Sequence, residues 1–244
     1  MAGVAIVTGA AGDIGRCVTA RLRSMGHEVC AVDREPLSPP VSWSRQVDIT
    51  DPAAVERLVS EVETELGPIE VLVNGAGVLR TAPVLELTSQ DWSDMVGVNL
   101  FGTMQLSTAV ARRMVPRGGG VIVTIGSNAG TVPRMGMAGY CSSKAAAAMF
   151  TRCLGLELAA AGVRCNIVAP GSTETAMLRS LWTDETGPET TLRGSLDQHR
   201  LGIPLGRIAT PDDIAEAVAY LVSPAARQIT MHTLTVDGGA TLGA

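Results

Sequence analysis

Ser127, Tyr140 and Lys144 are the residues of this chain whose types and spacing could do chemistry. Tyr140 and Lys144 lie four positions apart, so a helix beginning near Ala138 puts them on one face, one turn from each other. An ammonium beside a phenol favours the phenolate, which lets a group of reference pKa about 10 act as a base nearer neutrality. Ser127 follows the apolar, β-rich run Val121-Ile-Val-Thr-Ile125, and strand C-termini are where open α/β sheets build their sites. A hydroxyl, a phenol and an ammonium therefore converge if that run is a strand and residues 138–158 are a helix. By itself a Tyr-x-x-x-Lys pair is an ordinary helix-surface feature. The rest of the chain gives it meaning.

Val4-Ala-Ile-Val-Thr8 reads as a buried strand running into Gly9-Ala-Ala-Gly12-Asp13-Ile14-Gly15, then a helix to about Met25. Strand, glycine turn and helix N-terminus together make a phosphate cradle, because the backbone can approach closely and the helix end offers unused N–H groups. A second strand, His27 to Asp33, ends in a carboxylate 18 residues after Gly15, the spacing expected of an acid that holds an adenosine ribose through its hydroxyls. Trp43 to Val47 predicts a short third strand, with Asp48 bordering an adenine pocket. Asp51-Pro52 starts a helix to about Leu66, Ile69 to Val73 is a fourth strand, and Thr88 opens a long helix to Arg113 that contains Asn99. Val163 to Val168, the helix from Pro211 to Val222, and Thr233 to Val236 complete the alternation. The fold expected is α/β: a Rossmann-like doubly wound parallel sheet with helices on both faces, one domain over 1–244. Its cofactor-binding half covers about 1–118 and its catalytic and substrate half about 119–244. Between Ser172 and Arg200 the pattern loosens into Thr, Gly, Pro and charge; following a strand end, residues 173–200 read as a lid.

Composition excludes several other classes. A net charge of −5 without any Lys/Arg-rich run argues against nucleic acid as a partner. No apolar stretch is long enough for a membrane span, and no leader peptide is expected, since the run Val4 to Val7 meets Thr8-Gly9 at once. The five cysteines are odd in number and scattered, without a Cys-x-x-Cys pair; they read as free thiols in a reducing cytoplasm. His27, His199 and His232 share no metal-ligand spacing, so no metal is expected.

Taken together these motifs resemble the short-chain dehydrogenase/reductase family over essentially the whole chain. The family's active-site tetrad falls on Asn99, Ser127, Tyr140 and Lys144. The resemblance implies cofactor contacts from Gly9, Gly12, Asp13, Ile14 and Gly15, from Asp33, and from Asp48 and Ile49. It implies further contacts from Asn74, Ala76 and Gly77, from Tyr140 and Lys144, and from Pro170, Gly171, Thr173 and Thr175. Lys144 would also bind the nicotinamide ribose, Asn99 would position a proton-relay water, and the assembly would be a homotetramer. Two positions depart from the family pattern: Asp13 stands where the turn's middle glycine is usual, and Gly75 where many relatives carry Asn. A carboxylate facing a pyrophosphate would repel it, so Asp13 is expected to turn away as a helix N-cap.

A closer similarity runs through Val78-Leu-Arg80, Pro133-Arg-Met-Gly-Met137, Gly162-Val-Arg-Cys-Asn166, Leu201-Gly-Ile-Pro-Leu-Gly206 and the terminal Thr241-Leu-Gly-Ala244. These resemble the branch acting on 2,3-dihydro-2,3-dihydroxybenzoate in catechol siderophore biosynthesis, which implies an NAD-dependent oxidation of a small cyclic hydroxy acid. A substrate carboxylate needs a cation, for which an arginine's planar fork is suited. Arg134, in the loop between Ser127 and Tyr140, and Arg80, three residues past Gly77, are the candidates. Substrate contacts are expected from these two, Ser127, Met137, Tyr140 and Met177. The amino analogue, a dihydro-3-hydroxyanthranilate, remains an alternative substrate. An NADPH-dependent 3-oxoacyl reductase would need a basic ribose reader, for which Arg34 is the candidate, and a sensor without turnover would need a broken tetrad.

Overall fold

Most of the apolar runs are buried on both sides, and helices between them return the chain so that they pair into one parallel sheet. The computed structural model describes residues 3–38 and 41–243. Met1 and Ala2, Pro39 and Pro40, and Ala244 of the terminal run lie outside the described residues. Strands β1 (Val4–Thr8), β2 (Glu28–Asp33), β3 (Ser44–Gln46), β4 (Ile69–Asn74), β5 (Gly120–Ile125) and β6 (Val163–Pro170) belong to the sheet. A small separate hairpin, β7 (Gly194–Ser195) and β8 (Arg200–Leu201), precedes the last sheet strand, β9 (Thr233–Val236). The sheet order is β3-β2-β1-β4-β5-β6-β9, parallel throughout.

Alternate residues of each strand face opposite cores, the period-two rule of a pleated strand. Val4 and Ile6 join one core with residues of helices α2 (Pro52–Glu65) and α4 (Thr103–Met114). Ala5 and Val7 join the other with residues of α1 (Asp13–Ser24) and α8 (Pro211–Val222). Local signals set the helix starts. Asp51 accepts from the Ala53 amide at 2.9 Å with Pro52 in the first turn, and Thr210 forms a reciprocal capping box with Asp213.

Two regions differ from the sequence expectation. The long helix from Thr88 is present in three parts: α3 (Ser89–Val96), a π-helical turn over Gly97–Gly102, and α4. The wider turn falls where Asn99 engages Val78 and where Gly102 lets the Ile49 side chain approach. The stretch after Ser172 is not bare loop; it holds α6 (Ala176–Arg179), α7 (Gly187–Arg193) and the hairpin. Elements this short carry no detectable period. The remaining helix, α5 (Ala138–Leu158), begins where Tyr140 requires it.

Candidate active site

The chain winds outward in opposite directions from β1 and β4, which opens a crevice at their C-terminal ends. The turns after these strands touch. Gly9 sits at φ 70°, and a Cβ there would lie 2.5 Å from the Gly75 carbonyl oxygen, so only glycine fits on both counts. The Thr8 hydroxyl accepts from the Gly75 and Ala76 amides at 3.1 and 3.2 Å, clamping the second turn to the first. Beyond them lies a groove of about 310 Å³ walled by the Gly9–Gly15 turn, Asp33, Asp48, Ile49, the Gly75–Gly77 turn and residues 175–177. Asp33 accepts from the Ala11 amide at 2.9 Å and the Glu35 amide at 3.0 Å, which fixes its carboxylate beside the cradle. Asp48 accepts from the Thr50 amide and hydroxyl, and these bonds hold its pKa below the usual carboxylate value. A cradle lined by backbone at the start of a helix, with an acid at the end of β2, fits a dinucleotide.

Asp13 does turn away, but it is not the N-cap. Gly12 is, with no side-chain cap, and Asp13 is the first residue of α1. Its carboxylate accepts from the Ala176 amide at 2.7 Å and from Arg16 at 3.2 Å, with Arg179 at 3.8 Å. The Ala176 amide is the main reason its pKa is lowered. A donor 163 residues away has displaced the local cap, and the groove is spanned from α1 to α6.

At the inner end, a Cβ on Gly77 would stand 3.2 Å from Lys144 Nζ and 3.3 Å from Asn99 Oδ1, so the groove's floor meets the tetrad there. Lys144 is buried and donates to the Ile125 carbonyl at 2.9 Å; its Nζ lies 5.8 Å from the centre of the Tyr140 ring. Burial lowers the Lys144 pKa to about 8. Burial likewise raises Tyr140, and the Ser127 hydroxyl opposes that shift. In the protein alone desolvation is the main influence on Tyr140 and the Ser127 hydroxyl the one that opposes it, so the lowering expected from Lys144 does not appear there. Ser127 accepts from the Ala129 amide at 3.1 Å, which fixes its position. The Asn99 side chain is fully engaged, its Oδ1 accepting from the Val78 amide at 2.8 Å and its Nδ2 donating to the Val78 carbonyl and the Ser143 hydroxyl. Any water held by Asn99 would have to use its backbone.

Residues 3–186 match the family model described as short chain dehydrogenase. This chain belongs to the short-chain dehydrogenase family. It is 49% identical to the 2,3-dihydro-2,3-dihydroxybenzoate dehydrogenase of Bacillus subtilis, over 98% of this chain and 96% of that one. It is 41% identical to the vibriobactin-specific enzyme of the same name from Vibrio cholerae, over 97% and 95%. Among solved structures, a gluconate 5-dehydrogenase from Burkholderia cenocepacia in complex with NADP and tartrate superposes with a TM-score of 0.89 at 29% identity, covering 100% of this chain and 96% of that one. As a short-chain dehydrogenase the protein is an oxidoreductase that binds a nicotinamide cofactor.

Other expected site residues of this short-chain dehydrogenase fall less directly on the groove. Asn74 is buried beneath it, donating to Ser107 at 2.8 Å and Thr124 at 3.4 Å, so it braces β4 against β5 and α4 and does not line the cradle. Pro170 and Thr173 are buried, and Gly171 packs against Asp237. Thr175 lines the groove and caps α6 through the Leu178 amide. Met177 also lines the groove beside Ala176. Met137 is the residue before α5, its amide bonded to the Arg134 carbonyl. Arg80 is half exposed and faces Asp94 at 3.5 Å, whereas Arg134 is half-buried without a carboxylate within 4 Å among the described residues. Sequence reading missed Ser143, which links Asn99 to the Tyr140 carbonyl. It also missed the buried set Asn128, Asp237 and Thr241. No local pattern marks any of these; Ser143, Asn128 and Asp237 take their roles from partners distant in the chain, and Thr241 bonds to Asp237 from four residues on.

Proposed function

We propose that this enzyme oxidises 2,3-dihydro-2,3-dihydroxybenzoate to 2,3-dihydroxybenzoate with NAD. The observation that carries the substrate is the near half-identity, along almost the full chain, to an enzyme named for it. Asp33 supports NAD over NADP: fixed by two amides at the end of β2, it would meet a 2′-phosphate as a like charge. Arg34, the residue a 2′-phosphate would need, is exposed and faces Glu35 at 3.5 Å.

In this reading the bound nicotinamide supplies the hydride acceptor and a positive charge. Tyr140, as phenolate, takes the proton of the ring 3-hydroxyl while Ser127 holds that oxygen. Because burial raises Tyr140 in the protein alone, the Lys144 ammonium and the cofactor's charge must together bring the phenolate within reach. The Lys144 pKa of about 8 keeps its ammonium form dominant at neutral pH. The cyclohexadienone left by the oxidation tautomerises to the catechol, and the gain of aromaticity fixes the direction. Exposed apolar side chains, Met149 at 56% and Leu156 at 69% on α5 and Phe101 at 50% in the π-helical turn before α4, support assembly as a homotetramer, to be checked by light scattering.

The test is NADH formation from the dihydro acid with 2,3-dihydroxybenzoate identified as product, set against the amino analogue and against 3-oxoacyl reduction with NADPH. Oxidation of the amino analogue in preference to the dihydroxy acid would replace the substrate and keep the mechanism.

A further inference from the structure

Arg200 begins the second strand of the β7–β8 hairpin, and a costly turn puts it there. His199, just before it, lies in the left-handed region at φ 49°, which residues other than glycine enter seldom and which recurs at functional sites. The His199 amide closes the turn on the Leu196 carbonyl at 3.0 Å. The turn leaves Leu196 94% exposed while Arg200 is half-buried. Arg200 Nη2 donates to the Ser172 hydroxyl at 2.7 Å, and Ser172 stands two residues past the end of β6, on the edge of the sheet that also presents Ser127. Among the described residues this is the only hydrogen bond from a guanidinium with five donors.

Arg134 is in the same condition. It is half-buried and has neither a hydrogen-bonded partner for its guanidinium nor an acid within 4 Å among the described residues. The acid whose charge it feels is Asp237, but that carboxylate already accepts from Asn128, Gly239 and Thr241. Burial lowers the pKa of both arginines, and the charge of Arg134 lowers Arg200 further, so Arg200 sits within the field of Arg134. Arg164 shows what a self-sufficient arginine looks like here: also half-buried, it donates to the carbonyls of Leu221, Val222 and Ile229. Two partly desolvated cations with unused donors and no acid between them are unfavourable until an anion joins them.

We propose that Arg200, together with Arg134, receives the carboxylate of the substrate and sets the preference for ring acids over neutral ring alcohols. This rests on the reading that the substrate is a ring carboxylic acid. It moves the second cation of the site from Arg80, which already faces Asp94, to the hairpin.

The test compares Arg200→Met, Arg200→Lys and Arg134→Met with wild type. Binding of 2,3-dihydroxybenzoate and of catechol, the same ring without the acid, is measured calorimetrically in the presence of NAD; KM and kcat are measured on the dihydro acid. Arg200→Met should weaken the acid by about tenfold to a hundredfold and leave catechol within about twofold. KM should rise more than kcat falls, as expected for loss of uniform binding. Arg200→Lys should recover part of the affinity. Equal losses on acid and catechol, or an undiminished preference for the acid, would overturn the role of Arg200. A wild type that oxidises no ring acid would overturn the proposed function, and with it the carboxylate that Arg200 is assigned to hold.

Discussion

Thr8 and Asp33 use their side-chain oxygens on backbone amides of the glycine turns and Asp48 on that of Thr50, whereas Arg134 and Arg200, proposed above to receive the substrate, face no acid within 4 Å among the described residues. The first arrangement is complete without any ligand. Its turns are braced against one another by internal hydrogen bonds, which lessens the ordering that binding must supply. The second is incomplete: charge and donors are held partly out of water without an internal partner. Tyr140 and Lys144 lie between these regimes, each displaced by burial toward its neutral form. Under the proposed function the difference means that the cofactor side serves retention and the substrate side discrimination, since leaving a dry polar group unmatched penalises the wrong ligand.

Variants can break this contrast in decreasing order of effect. Tyr140→Phe removes the base and leaves both walls intact; kcat should fall by about 10²- to 10⁴-fold with NAD affinity unchanged by fluorescence titration. A variant retaining more than about a tenth of wild-type kcat would deny Tyr140 the role. Asp33→Ala opens the completed side to NADP: under the proposed function the ratio of kcat/KM for NAD over NADP, on the order of a hundred or more in wild type, should collapse toward one. Equal use of both cofactors by wild type would remove Asp33 as the reader.

Asp13→Asn tests the span between α1 and α6. Losing a charged acceptor for the Ala176 amide should weaken NAD by about threefold to thirtyfold, the range of a lost cap, and should speed hydrogen exchange over residues 176–179. The wild-type contact is present above the unfolded carboxyl pKa and is lost as pH falls through the lowered folded value. NAD affinity should therefore fall in acid more steeply in wild type than in the variant. The smallest effect is thermal. Below pH 8 Lys144 is charged in both folded and unfolded chains, and its burial costs stability in full. Between pH 8 and the unfolded value the folded chain sheds the proton first, so stability rises. Lys144→Met should accordingly raise the ligand-free melting temperature at pH 7 by on the order of 3 °C, an advantage that shrinks toward pH 10, while turnover is lost. A melting temperature that falls instead would mean the bond to the Ile125 carbonyl outweighs desolvation.

What the sequence reveals follows the same division. Val4 to Val7, Asp51-Pro52 and the Thr210–Asp213 box are local signals, and strands and helix starts appear where these place them. The glycine turn and Asp33 are legible because their chemistry depends on neighbours within one βαβ unit. Asp13 misleads because an acid at a helix start looks like its cap, while its partner lies on α6. Asn99 is reached through the family resemblance, whereas the π turn that carries it leaves no mark on composition. Arg200 is one arginine among many until burial and the absence of a nearby acid set it apart, and neither is a property of the chain near it.

The span from Asp13 to Ala176 also bears on how the molecule is made. The glycine turn and Asp33 leave the ribosome early, but one wall of the groove is supplied by residues 175–177. A nascent chain ending near residue 118 would carry the cradle without that wall, and would hold a dinucleotide more loosely than the finished enzyme does. The groove that is opened first in synthesis thus gains its last wall only with α6, which reaches back to the first helix.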